Sequence, residues 1–79
     1  MSDLPELPDH MKLSTLGDGI YFVLDLREDE RILSTFYARP QQRGWWRGRD
    51  RSGKVREVYV ETGTEHPEVV VARRMLLLT

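Results

Sequence analysis

The sequence predicts a small all-β domain, an antiparallel meander of five strands curled into a barrel-like sheet; a short C-terminal helix in place of the last strand is the alternative. Three observations carry this. Residues 20–26, 31–39 and 44–61 show strand-like patterning, in which successive side chains point to opposite faces. The runs are separated by short stretches of turn residues, too brief for crossover connections. The chain has 79 residues, enough for one domain, and so few residues reduce their exposed edges most economically by curling.

Residues 1–16 read as an extended N-terminal arm. They contain Pro5, Pro8 and several acids, and lack a periodic apolar pattern, so contacts of Leu4, Leu7, Met11 and Leu13 would have to pin them. The β domain then spans 17–79, opening with the turn signal Gly17-Asp18-Gly19. In the first strand, Ile20, Phe22, Leu24 and Leu26 make a strongly apolar face opposite Tyr21, Val23 and Asp25. Arg27–Glu30 is a charged connection of hairpin length. The second strand, 31–39, sets Ile32, Ser34, Phe36 and Ala38 against Leu33, Thr35, Tyr37 and Arg39. Pro40 ends it, lacking a ladder donor and pushing Arg39 into an extended conformation.

The stretch from Gly44 to Glu61, GWWRGRDRSGKVREVYVE, is where shape, charge and aromatic surface coincide. Asp50 starts a turn and Gly53 supplies a positive φ. On that register Trp45 faces Tyr59, Trp46 faces Val58, Arg47 faces Glu57, Arg49 faces Val55 and Asp50 faces Lys54. Trp46, Val58 and Val60 then lie on a core face, with Gly48, Arg56, Asp50 and Lys54 toward the tip. Trp45, Tyr59, Arg47, Glu57, Arg49 and Val55 lie on the other. Trp46 is expected to be more buried than Trp45, and Arg47 to reach Glu57 as an ion pair.

The last segment, EVVVARRMLLLT, admits two readings. Pro67 suits the first position of a helix, whereas three consecutive valines lose χ1 freedom in one. A strand over 68–78 is the favoured reading. Met75–Leu78 then serves either as core or as an apolar edge that pairs with another chain.

Charge is unevenly placed. From Arg39 to Arg56 there are seven basic residues and one acid, a local +6, and the other five basic and twelve acidic residues give −7, for a net −1. A net negative chain disfavours wholesale nucleic-acid binding. The basic hairpin either neutralises the acids of 25–30 or meets an anionic partner. There is no cysteine, hence no disulfide or thiolate site. His10 and His66 are the only histidines and lack metal-ligand spacing, so no metal or cofactor is expected. The four serines have no partner base at a recognisable spacing, and no glycine-rich stretch matches a phosphate loop. No enzymatic activity, small-molecule substrate or membrane span is expected. The arm does not read as a signal peptide, and the expectation is a cytoplasmic protein.

The segment WWRGRDRSGKV followed by Tyr59-Val60-Glu61 resembles the end of a Src homology three domain. That resemblance implies a groove for proline-rich peptides lined by Trp45 and Tyr59, with Asp25, Glu28, Asp29 and Glu30 standing for the family's acidic loop. It covers fewer than twenty residues, lacks the family's proline before the tyrosine, and leaves too few residues between Phe36 and Trp45 for the intervening strands. We read it as convergence on a hairpin pattern.

The expected function is a non-enzymatic interaction or regulatory module. It would bind a protein partner, or its own copies, through Trp45, Arg47, Arg49 and Tyr59 with Arg43 and Arg56. Trp, Tyr and Arg are the residue types that dominate interface energetics. The alternative is a nucleic-acid-binding barrel using the basic hairpin of 39–56, since the same residue types stack bases and hold phosphates.

Overall fold

A computed structural model describes residues 7–77. Its strands are β1 (Met11–Thr15), β2 (Ile20–Asp25), β3 (Arg31–Ala38), β4 (Trp45–Arg49) and β5 (Val55–Tyr59), followed by a helix, α1 (Pro67–Leu77). The strands form one antiparallel sheet in the order β1-β2-β3-β4-β5. The sheet is an open meander, and α1 lies across one of its faces against β3, β4 and β5.

Two elements differ from the sequence expectation. Part of the arm is a strand: Met11–Thr15 pairs with Tyr21–Asp25, and Met11 and Leu13 turn toward the core. The Thr15 hydroxyl, which donates to the Ile20 carbonyl at 2.8 Å and accepts from the Gly17 amide at 3.1 Å, closes the β1–β2 hairpin. Leu4 lies outside the described residues. The favoured C-terminal strand is the second difference, for 67–77 is helical. At helical spacing Val71, Ala72 and Met75 fall on one stripe and are fully buried, while Arg73 and Arg74 stay exposed. Each valine costs a few tenths of a kcal/mol in helix propensity, and burying a Val or Met side chain is worth about 1.5–3 kcal/mol. Burial wins. A flat strand would alternate instead, setting Arg73 on the same face as Val71.

The core is Val23, Phe36, Trp46, Val58 and Val60 from the sheet with Val71, Ala72 and Met75 from the helix. Tyr21 stacks on Phe36 with ring centroids 5.7 Å apart, and Phe36 meets Trp46 edge-on at 5.9 Å. The buried side of β2 is therefore Tyr21, Val23 and Asp25, not the more apolar set of Ile20, Phe22, Leu24 and Leu26. Pairing decides this: Tyr21 stands opposite Phe36, whose neighbour on β4 is the tightly packed Gly48.

Strand β3 also departs from simple alternation. Val23 faces Ser34 but Leu24 faces Ile32, so Leu33 is the extra residue of a β-bulge. The bulge turns Leu33 against the core and leaves Ile32 exposed. At Gly48 a Cβ would sit 2.2 Å from the Thr35 carbonyl oxygen and 2.4 Å from Phe36 Cβ, so only glycine lets β3 and β4 approach this closely.

Candidate functional site

The β4–β5 hairpin has the register read from the sequence, Trp45 opposite Tyr59 through Arg49 opposite Val55. Trp46 is 8% exposed and Trp45 40%, the order which that register requires. The Asp50 amide bonds the Lys54 carbonyl at 2.9 Å, and Gly53 takes φ 89°.

Asp50 holds the turn. Its side chain is fully buried and accepts from the Ser52 hydroxyl at 2.6 Å, the Ser52 amide at 2.9 Å, the Lys54 amide at 3.1 Å and Arg56 Nε at 2.9 Å. The Ser52 hydroxyl first, then the Arg56 guanidinium and the two amides, hold this carboxyl well below the usual carboxylate range against the opposing effect of burial. Arg56 is thus committed to a turn on the helix-covered face.

The opposite face of the sheet carries the remaining hairpin candidates, in ranks that cross the strands. Ser14, Phe22, Thr35, Arg49 and Val55 form one rank. Ile20, Tyr37, Arg47 and Glu57 form the next. Beyond them Trp45 and Tyr59 meet edge to face at 5.4 Å, next to Arg39. Toward the other end, Lys12, Leu24 and Ile32 align.

The structure brings together Trp45, Arg47, Arg49 and Tyr59 on this face, leaves Arg43 exposed in the loop before β4, and sets Arg56 on the other side. The carboxylate of Glu57 pairs with Arg39, so the expected Arg47–Glu57 ion pair is replaced. Arg49 Nη1 donates to the Gly53 carbonyl at 2.8 Å. Arg47 has no ion-pair partner among the described residues. The acids of 25–30 lie at the β2–β3 connection, at the opposite end of the sheet from Trp45 and Tyr59. The groove-plus-acidic-loop arrangement implied by the Src homology resemblance is therefore not assembled.

Residues missed in the sequence complete the site. Ile20, Phe22, Leu24, Ile32 and Tyr37 share the outer face with the arginines and with Val55, which the hairpin register had already placed there. Ile32 is 57% exposed and Val55 47%. A depression of about 380 Å³ lies among Ile20, Thr35, Tyr37, Arg47, Arg49 and Val55. The signal was the uninterrupted Ile20-Tyr21-Phe22-Val23-Leu24, since strands covered on both faces read as continuous apolar runs.

Among the described residues, no cluster of His, Cys, Asp or Glu is placed to hold a metal ion, and no helix is long and apolar enough to cross a membrane. Among them, too, every buried side-chain polar atom has a hydrogen-bond partner. No protein-family model, curated protein or solved structure matches the chain.

Proposed function

We propose that this protein is a non-enzymatic interaction module that binds protein through the open face of its sheet. The observation that carries this reading is the face itself. An antiparallel sheet with one face on a core ordinarily turns polar residues outward on the other. Here the outward face presents Ile20, Ile32, Tyr37, Val55, Trp45 and Tyr59 around Arg47 and Arg49. Aromatic residues and arginine within an apolar patch are the composition of the energetic centre of protein interfaces.

The combination of arginines and exposed aromatics on an open sheet also favours a second reading, binding of single-stranded nucleic acid. Aliphatic Ile20, Leu24 and Ile32 speak for protein, because they offer a base neither a stacking plane nor a hydrogen bond. Capture on immobilised wild type, Trp45→Ala and Ile32→Lys chains, with and without nuclease, separates the two. The proposal expects a protein that survives nuclease, tolerates salt and is lost with both variants. Captured material that is nuclease-sensitive, with affinity falling steeply as salt rises, would overturn it in favour of the second reading.

A further inference from the structure

We infer that the outer sheet face binds an acidic segment of a partner protein, taking two of its carboxylates on Arg47 and Arg49 and one of its apolar side chains in the depression beside them. This rests on the interaction-module reading above and names the chemistry of the partner.

Positive charge on this face is left unanswered within the chain. The face carries Lys12, Arg39, Arg47 and Arg49 against one carboxylate, Glu57, although the chain as a whole has a net charge of −1. On a sheet, the cross-strand neighbours are what can supply a counter-charge. Lys12 stands opposite Leu24, and Arg49 stands between Thr35 and Val55. Arg47 stands between Tyr37 and Glu57, but Arg39 holds the Glu57 carboxylate. Among the described residues, Lys12, Arg47 and Arg49 form no ion pair. Acids elsewhere are engaged where they stand: Asp25 and Glu28 pair with Arg27 and Arg31 around the β2–β3 connection, and Asp50 pairs with Arg56 in its turn. The complement of the face is therefore an anion brought from outside.

The setting of the two arginines selects the kind of anion. Arg47 and Arg49 lie two residues apart on β4 and share a face, so their Cα atoms are roughly 7 Å apart. Both line the depression of about 380 Å³ whose other walls include Ile20, Thr35, Tyr37 and Val55. Arg49 uses one donor on the Gly53 carbonyl, and a guanidinium has five N–H donors in a planar fork, so each arginine can still receive a carboxylate. Pairs formed against apolar walls are screened by salt less than pairs in open water. Ile20 and Val55 then suit an apolar side chain of the same segment. A phosphate backbone would engage the arginines but leave those aliphatic walls without a partner, since they offer a base no plane to stack on.

The test is selection of random phage-displayed peptides on the immobilised full chain, followed by titration of a selected peptide into wild type, Arg47→Gln, Arg49→Gln and Arg73→Gln. Arg73 is exposed on α1, so its variant removes the same charge away from the face. All three arginines are exposed, and circular dichroism should show each variant folded. The expected peptides share two acids and an apolar residue. Their dissociation constant should rise roughly 10-fold or more with Arg47→Gln and with Arg49→Gln, because charge-assisted hydrogen bonds are lost, and stay unchanged with Arg73→Gln. No enriched peptide, peptides without acids, or acidic peptides indifferent to both face variants would overturn the inference. So would an oligothymidylate or phosphatidylserine vesicles that displace the peptide and bind more tightly through the same arginines. The interaction-module reading is judged separately: acid-free peptides whose binding is lost with Ile32→Lys would leave it standing with a different partner, whereas failure of both the selection and the nuclease-resistant capture would remove both.

Discussion

Replacing Gly48 with alanine adds one methyl group where the fold has no room for it. The new Cβ would lie 2.2 Å from the Thr35 carbonyl oxygen, 2.4 Å from Phe36 Cβ and 2.7 Å from Phe36 Cα. Favourable carbon contacts begin near 3.5 Å, so β3 and β4 must part by roughly 1 Å. Two of the three obstacles are backbone atoms, and the third belongs to a fully buried phenylalanine, so no side-chain rotation relieves the contact. Overpacking a core costs typically 1–3 kcal/mol and occasionally more; with strand separation added, we expect about 3 kcal/mol. A domain this small has about 3–5 kcal/mol in all, so most of its stability should vanish. Urea unfolding followed by tryptophan fluorescence and circular dichroism measures this. Gly53→Ala is the control: it places alanine at φ 89° with nothing within 4 Å, a backbone cost of about 1–2 kcal/mol without a clash. A Gly48→Ala midpoint equal to wild type, or above that of Gly53→Ala, would refute the close approach of β3 and β4.

Further outcomes follow from the same geometry. The folded-state pKa of Asp50 lies below the unfolded value of ~3.9. Its ionised form therefore stabilises the fold fully above about pH 5, and that contribution is lost as pH falls through the acid range toward the folded value. Asp50→Asn should be destabilised at neutral pH and show a shallower acid limb; an unchanged limb in acid titrations at fixed urea sinks the assignment. Trp46→Ala should cost about 3–5 kcal/mol, enough to unfold much of the protein. Trp45→Ala loses an edge-to-face pair worth about 0.5–1.5 kcal/mol, and thermal melts in the reverse order would mean exchanged faces. Met75→Ala should cost about 2–5 kcal/mol in chemical denaturation, and a neutral result would undo the docking of α1.

The β4–β5 hairpin was legible in the sequence because its determinants are local. Asp50 and Gly53 set the turn, and the period of two then assigns Trp46 inward and Trp45 outward with no knowledge of the rest of the chain. Of the candidate site, Trp45, Tyr59, Arg47 and Arg49 come from that same alternation. The pairing of Arg56 with Asp50 was not legible, because it depends on a carboxylate that becomes buried only when the turn folds against the sheet.

The remainder required tertiary context. Met11–Thr15 carries no strand signal of its own and becomes a strand because β2 offers an edge to pair with. On β2 both faces are apolar, so nothing in the run itself says which one the helix covers; the aromatic contacts of Tyr21 with Phe36 and Trp46 decide it. Residues 67–77 balance a weak local preference against burial, and burial becomes available only when the open sheet presents Phe36, Trp46 and Val58 to Val71 and Met75. Local turn chemistry and side-chain alternation thus wrote the hairpin and its two faces into the sequence. Which apolar surface was buried and which was left outward depended on long-range packing, because hydrophobic burial is non-directional and is settled only when the elements meet.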